Sequence, residues 1–310
     1  MILPEPLNLI NFVLEKGRGG VEIFLFLSGI GLYYSYSKNN DLKRFYKRRI
    51  SRVIIPYFLI ATPFWFVQDI LFYKDIRMFV KDIFLYSFWT EGVTRMWYFG
   101  LLIPLYVLFP FIYKILYKKE ENEKSCIFRA GFIIAIVITC NWLLKRNFPD
   151  YYQLVEIALT RIPIFILGVV CGSFVKKNKN ITWKQIAVFC LLYSYRMYTY
   201  EYSITGMRVR YWYCTLAIFV CFLFAYIFEE CKVKGRLFYL LRIAGKYSME
   251  LYIVHVWIRK LFQKLDIVYV INGIDFNKYG LLNYCLVILV SCFMVFAFVK
   301  VENMILCRVE

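Results

Sequence analysis

An all-helical, polytopic integral membrane protein is what this sequence predicts, and three observations predict it. Of its 310 residues, 61% are hydrophobic and 21% aromatic, whereas soluble domains hold about 45–50% apolar residues. Mean hydropathy is +0.56, more apolar surface than a water-soluble core could hide. The apolar residues also fall into runs near the bilayer-crossing length of about 20 residues, with basic stretches between them. Backbone groups in lipid must be satisfied inside their own segment, so each run is expected to be a helix.

Taken in order, residues 1–19 read as a short extracytoplasmic segment. Pro4, Glu5, Pro6, Glu15, Lys16 and Arg18 deny it the charged-then-apolar order of a cleavable signal. At most, 7–14 is an amphipathic piece lying on a surface. Nine candidate spans follow: 20–37, 53–73, 96–117, 128–144, 157–175, 185–201, 211–228, 246–262 and 280–300. The weakest are 185–201, which carries Arg196, and 246–262, which carries Glu250, His255 and Arg259. No repeat or low-complexity tract marks a boundary, so 1–310 reads as one domain and one bundle. Gly168 and Gly172 have the spacing that lets two helices approach closely, and packing within the chain explains it best.

The basic stretches orient the chain. With the 38–52 loop inside, alternate loops hold 23 Lys+Arg on the cytoplasmic side and 16 outside. This bias predicts an outside N-terminus and a cytoplasmic C-terminus. The formal net charge of +18 then meets anionic lipid headgroups. It does not point to nucleic acid, since no nucleic-acid-binding signature and no soluble domain accompany it. The ten cysteines form no CxxC pair and sit mostly inside apolar runs, which suggests packing residues and neither a metal site nor a disulfide framework. Oligomeric state is not legible.

Four segments resemble the acyltransferase 3 family of membrane-bound O-acyltransferases. They are Gly20-Val-Glu-Ile-Phe-Leu-Phe-Leu-Ser-Gly29; Phe45-Tyr-Lys-Arg-Arg-Ile-Ser-Arg52 with Pro56-Tyr57; Met96-Trp-Tyr-Phe99 through Leu105-Tyr-Val-Leu-Phe-Pro110; and Gly245-Lys-Tyr-Ser-Met-Glu-Leu-Tyr-Ile-Val-His255. Each is loose alone; their order and spacing over 20–300 carry the likeness. The resemblance implies acyl transfer, with acetyl-CoA as donor substrate, to a hydroxyl of an envelope polysaccharide or glycolipid. It also implies a first helix bearing a basic residue and a His; residues 1–310 hold no counterpart, and their single His is His255. An inactive truncated acyltransferase is one alternative. The other is a transporter or flippase in which Glu250, His255 and Arg259 line a substrate path, although the paired repeats of transporters are missing.

Such a reaction requires cations for donor phosphates, a base for the hydroxyl and donors for the developing oxyanion. Arg49 and Arg52, three apart on a presumed helix, project from one side, and guanidinium forks suit phosphate. Spacing alone reads them as a positive-inside anchor; the resemblance makes them the donor site. His255 is the candidate catalytic residue, assisting near the acceptor as a binder or proton relay. A structural hydrogen bond explains it equally, and a primary base role less well. Tyr252 and Arg259 share its face, while Glu250 points elsewhere.

Glu22, Trp97 and Glu250 are candidate substrate contacts. Against this, Glu22 reads as a solvated interfacial acid and Trp97 as part of an outer aromatic belt. Ser28-Gly29 reads as a packing point. Arg161, Arg196, Arg208 and Arg210 are outer or buried cations able to pair with Glu156 or Glu201, and no role is assigned to them.

Overall fold

The computed structural model describes residues 20–117, 123–177, 207–230, 235–265, 270–271, 274–275 and 280–306. Their regular structure is helical apart from a two-residue antiparallel pair, β1 (Val270–Ile271) and β2 (Ile274–Asp275). Among these residues, four helical stretches are long and apolar enough to cross a membrane: Leu42–Phe72, Trp97–Leu116, Lys124–Asn147 and Pro149–Lys176. They coincide with the expected spans at 53–73, 96–117, 128–144 and 157–175. The expected spans at 211–228 and 280–300 contain the shorter apolar helices Tyr213–Phe228 and Cys285–Val301. Those at 20–37 and 246–262 are helical, and 185–201 lies outside the described residues.

The chain divides into two compact units, one drawn from 47–86 and 234–310, the other from 17–46 and 87–233. The second contains α1 (Gly20–Lys38), α6 (Trp97–Leu116), α7 (Glu123–Asn147), α8 (Pro149–Leu159), α9 (Ile162–Lys176) and α10 (Met207–Glu230). Its centre is α1, which packs on α6, α9 and α10. Glu22, Leu25, Phe26, Gly29, Leu32, Tyr33 and Tyr36 form its buried stripe at helical spacing.

Glycine makes the closest crossing possible. A Cβ on Gly29 would lie 2.5 Å from the Phe165 carbonyl oxygen, one on Gly168 would collide with the Phe26 carbonyl oxygen, and one on Gly172 would meet Tyr33. The Gly168/Gly172 spacing and the Ser28-Gly29 packing point therefore serve contact within the chain. Toward the Lys38 end, aromatic rings fill the interior. Phe45 stacks on Phe109 at 5.5 Å, Tyr33 lies 4.9 Å from Tyr117, and Tyr36 lies 5.0 Å from Tyr113. Tyr117 donates to the Val169 carbonyl at 3.1 Å and Lys176 to Ser37 Oγ at 2.9 Å.

A proline shapes the other end of this unit. Pro163 has no N–H to offer the carbonyl four residues back, and the helix breaks at Thr160–Arg161 between α8 and α9. The Leu159 carbonyl accepts instead from the Asn141 side-chain amide at 3.3 Å, and that amide also donates to Val137 at 3.0 Å. The break thus becomes a link between α7 and α8.

The continuous helix Leu42–Phe72 begins as α2 (Leu42–Arg49), where Asp41 accepts from the Lys43 N–H at 2.9 Å as an N-cap. It continues through a π-turn at Ile50–Ile54, α3 (Ile55–Trp65) and a second π-turn at Phe66–Phe72. Pro63 lies inside α3 just before the second π-turn; the loss of a donor there loosens the ladder. Then follow α4 (Ile76–Ile83), capped by Asp75 through Arg77 N–H at 2.8 Å, and the short α5 (Tyr86–Glu91).

The rest of the first unit is α11 (Arg236–Lys246), α12 (Ser248–Leu265) and α13 (Gly280–Leu306). Here α3 packs on α4, α12 and α13. Trp257 is its keystone, stacked on Phe64 at 5.3 Å and edge-on to Trp65 at 4.7 Å. Tyr57 ties α3 to the end of α4 by donating to the Ile83 carbonyl at 3.1 Å.

Candidate functional site

Two groups of polar side chains stand out in these apolar units. Ionisable groups at membrane depth are costly, and they persist where they are paired or used.

The first group lies in the second unit. Arg161, at the proline break, sits between α8 and α9 and sends Nε to Glu22 Oε1 at 2.7 Å, with both side chains buried. Its guanidinium lies 4.6 Å from the centre of the Trp97 ring at the start of α6, a cation–π contact. Arg161 Nη1 also donates to the Ile157 carbonyl. Buried Cys214 on α10 is within electrostatic reach of both charges.

This arrangement corrects three expectations. Glu22 is fully buried, so it is not a solvated acid. Arg161 pairs with Glu22, a partner the sequence reading did not name, because the break at Thr160–Arg161 turns it toward α1. Trp97, 8% exposed, faces inward under Arg161 and does not join an outer belt. Sequence reasoning gave Arg161 no role; its one available signal was Pro163, which marks the break beside it.

The second group lies on α12 and the Leu42–Phe72 helix. His255 is half-buried, and its Nδ1 is 3.1 Å from the Leu251 carbonyl one turn back. A carbonyl can only accept, so Nδ1 is the donor in this contact; in the neutral ring Nε2 is then the acceptor. Tyr252 meets the ring edge-on at 5.6 Å, and Arg259 is exposed on the same face. Glu250 is buried and shares the α3-facing side with Trp257, seven residues on. The expected division of α12 into a His255 face and a Glu250 face therefore holds.

Arg49 and Arg52 flank and enter the first π-turn. Arg49 is half-buried and Arg52 exposed. The second π-turn holds a further polar pair that the sequence reading missed. Gln68 Nε2 donates to Asp69 Oδ1 at 2.9 Å, and both residues are buried.

Apolar helices of membrane-crossing length define a helical membrane protein. The chain belongs to the acyltransferase 3 family: that family's model, described as "Acyltransferase domain", matches residues 5–300. A relative from Acidianus two-tailed virus, named "Putative acetyltransferase ORF330", is 21% identical over 276 residues, covering 84% of this chain and 78% of that protein. No solved structure matches. Acyl transfer is thus the chemistry with which the site must be read.

Proposed function

We propose that the protein moves an acyl group, acetyl in the simplest case, from acyl-CoA to a hydroxyl of an envelope polysaccharide or glycolipid. The observation that carries the proposal is His255 in its Nδ1–H tautomer on a chain of this family. In this scheme the acceptor hydroxyl oxygen attacks the thioester carbonyl. The new C–O bond forms as C–S breaks, His255 Nε2 takes the hydroxyl proton, and that proton passes to the departing CoA thiolate. Arg49 and Arg52 hold the donor's phosphates on the cytoplasmic side.

Reach supports the assignment. Trp65, which rests on Trp257, follows Arg52 by thirteen residues, roughly 20 Å at about 1.5 Å per helical residue. A long flexible pantetheine arm suits such a separation between phosphate and thioester. In the second unit, Glu22 and Trp97 hold Arg161 in place. The protein spans the membrane about nine times, as one functional domain with its N-terminus outside and its C-terminus in the cytoplasm.

The test uses membranes containing the full chain, incubated with acetyl-labelled CoA. Label is expected in envelope glycan, with Arg49→Ala raising the donor KM and His255→Ala lowering kcat by about 10²–10⁴-fold. Equal labelling with the His255→Ala protein would remove that residue from the mechanism. Absence of label at any donor concentration would overturn the acetyl-CoA reading.

A further inference from the structure

The stretch between α10 and α12 has no place in the reaction above. Gly235 stands at φ +94, ψ −158, a backbone conformation that is essentially glycine's alone. From there α11 runs eleven residues to Lys246. Phe238 through Lys246 are all exposed, including Phe238, Tyr239, Leu240, Leu241 and Ile243 at 37–63%.

The sequence of α11 sorts these residues into two faces. At helical spacing, Phe238, Leu240, Leu241 and Ala244 fall on one side, and Tyr239, Arg242 and Lys246 on the other with the single apolar Ile243 at its margin. No acidic residue occurs from Cys231 to Met249, while Lys232, Lys234, Arg236, Arg242 and Lys246 all do. Arg242 and Lys246 are four apart, a like-charge pairing that weakens an isolated helix. An anionic surface removes that cost, and an apolar layer beneath it accepts the leucines and the phenylalanine. A protein partner would have to supply acids and an apolar groove together; a leaflet supplies both everywhere.

We infer that α11 is an interfacial helix that binds the membrane surface lengthwise, its apolar face in the acyl boundary and Arg242 and Lys246 on anionic phospholipid headgroups. Lys246 continues the basic row into the ring of Tyr247 at 4.9 Å, a residue type at home at that depth. This reading is independent of the acyl-transfer scheme and stands or falls without it.

Hydrogen exchange of the intact protein tests it in three settings: detergent micelles, phosphatidylcholine nanodiscs, and nanodiscs of phosphatidylcholine with phosphatidylglycerol. Exchange across 236–246 is expected to be fast in micelles, slower in neutral nanodiscs and slowest in anionic ones. A surface cation contributes about five-fold to attraction for an anionic leaflet. Arg242→Gln with Lys246→Gln should therefore erase about twenty-five-fold of the anionic protection, leaving the neutral-lipid value alone. Leu241→Glu should speed exchange in both lipids. Unchanged exchange around Trp257 keeps misfolding separate from lost binding. Equal protection in neutral and anionic nanodiscs would overturn the headgroup role. Protection in micelles equal to that in anionic nanodiscs would show that the anionic leaflet adds nothing, and would overturn the inference altogether.

Discussion

At the scale of single residues, the sharpest feature is a charge pair that neither of its members could keep alone. Glu22 and Arg161 are both buried, so removing one strands the other's charge in an apolar setting. Glu22→Gln or Arg161→Met alone should cost about 3–5 kcal/mol of stability, while the double variant should recover most of it. Thermal unfolding of the purified protein in detergent measures this, and single variants melting with the wild type would show that the pair carries no such load. Asn141→Leu removes the side-chain donor from the Leu159 carbonyl at the proline break, at an expected cost of about 1–3 kcal/mol. The His255 face was legible, because helical spacing alone places Tyr252 beside it. The Glu22–Arg161 pair was not, because two charges 139 residues apart in sequence carry no mark of partnership.

At the scale of elements, backbone approach governs the second unit and aromatic stacking the first. Gly168→Val drives two methyl groups toward the Phe26 carbonyl and should destabilise by about 1–3 kcal/mol or more. Gly131→Ala, in open space on α7, should be neutral or gain up to about 1 kcal/mol from helix propensity. Measured side by side, the two variants separate crowding from a general effect of replacing glycine; equal melting temperatures would remove the close-approach argument. The sequence identified these helices by hydropathy but said little about their buried sides, since α1 and α9 are apolar nearly all round. Only the glycines marked where a neighbour comes close. The π-turns were hidden for a related reason: Pro63 announces a lost donor, and an α-kink or a widened turn satisfies it equally well.

At the scale of the whole molecule, the distribution of basic residues makes a claim about sidedness. Reporter fusions after Lys38 and after Lys177 are expected to be active only as cytoplasmic reporters, and fusions after Asn147 only as exported ones. The opposite pattern would invert the proposed orientation and place Arg49 and Arg52 away from cytoplasmic CoA. The helical character and several of the crossings were readable from composition because lipid imposes one rule on every segment. The division into two units was not readable, since no composition shift accompanies it.

The burial of Glu22 against Arg161 also has a consequence in time. Synthesis proceeds at about 5–20 residues per second, so the carboxylate leaves the ribosome on the order of ten seconds before its guanidinium partner exists. In the proposed nine-span arrangement, α1 carries for that interval an acid that the bilayer rejects. It must cross protonated, or wait at the surface until the helix turn bearing Arg161 arrives. Glu22→Gln, which needs no partner to enter the membrane, should therefore insert sooner during translation even though the finished protein is less stable, an exchange of early ease for later strength that pulse-labelled insertion assays can resolve.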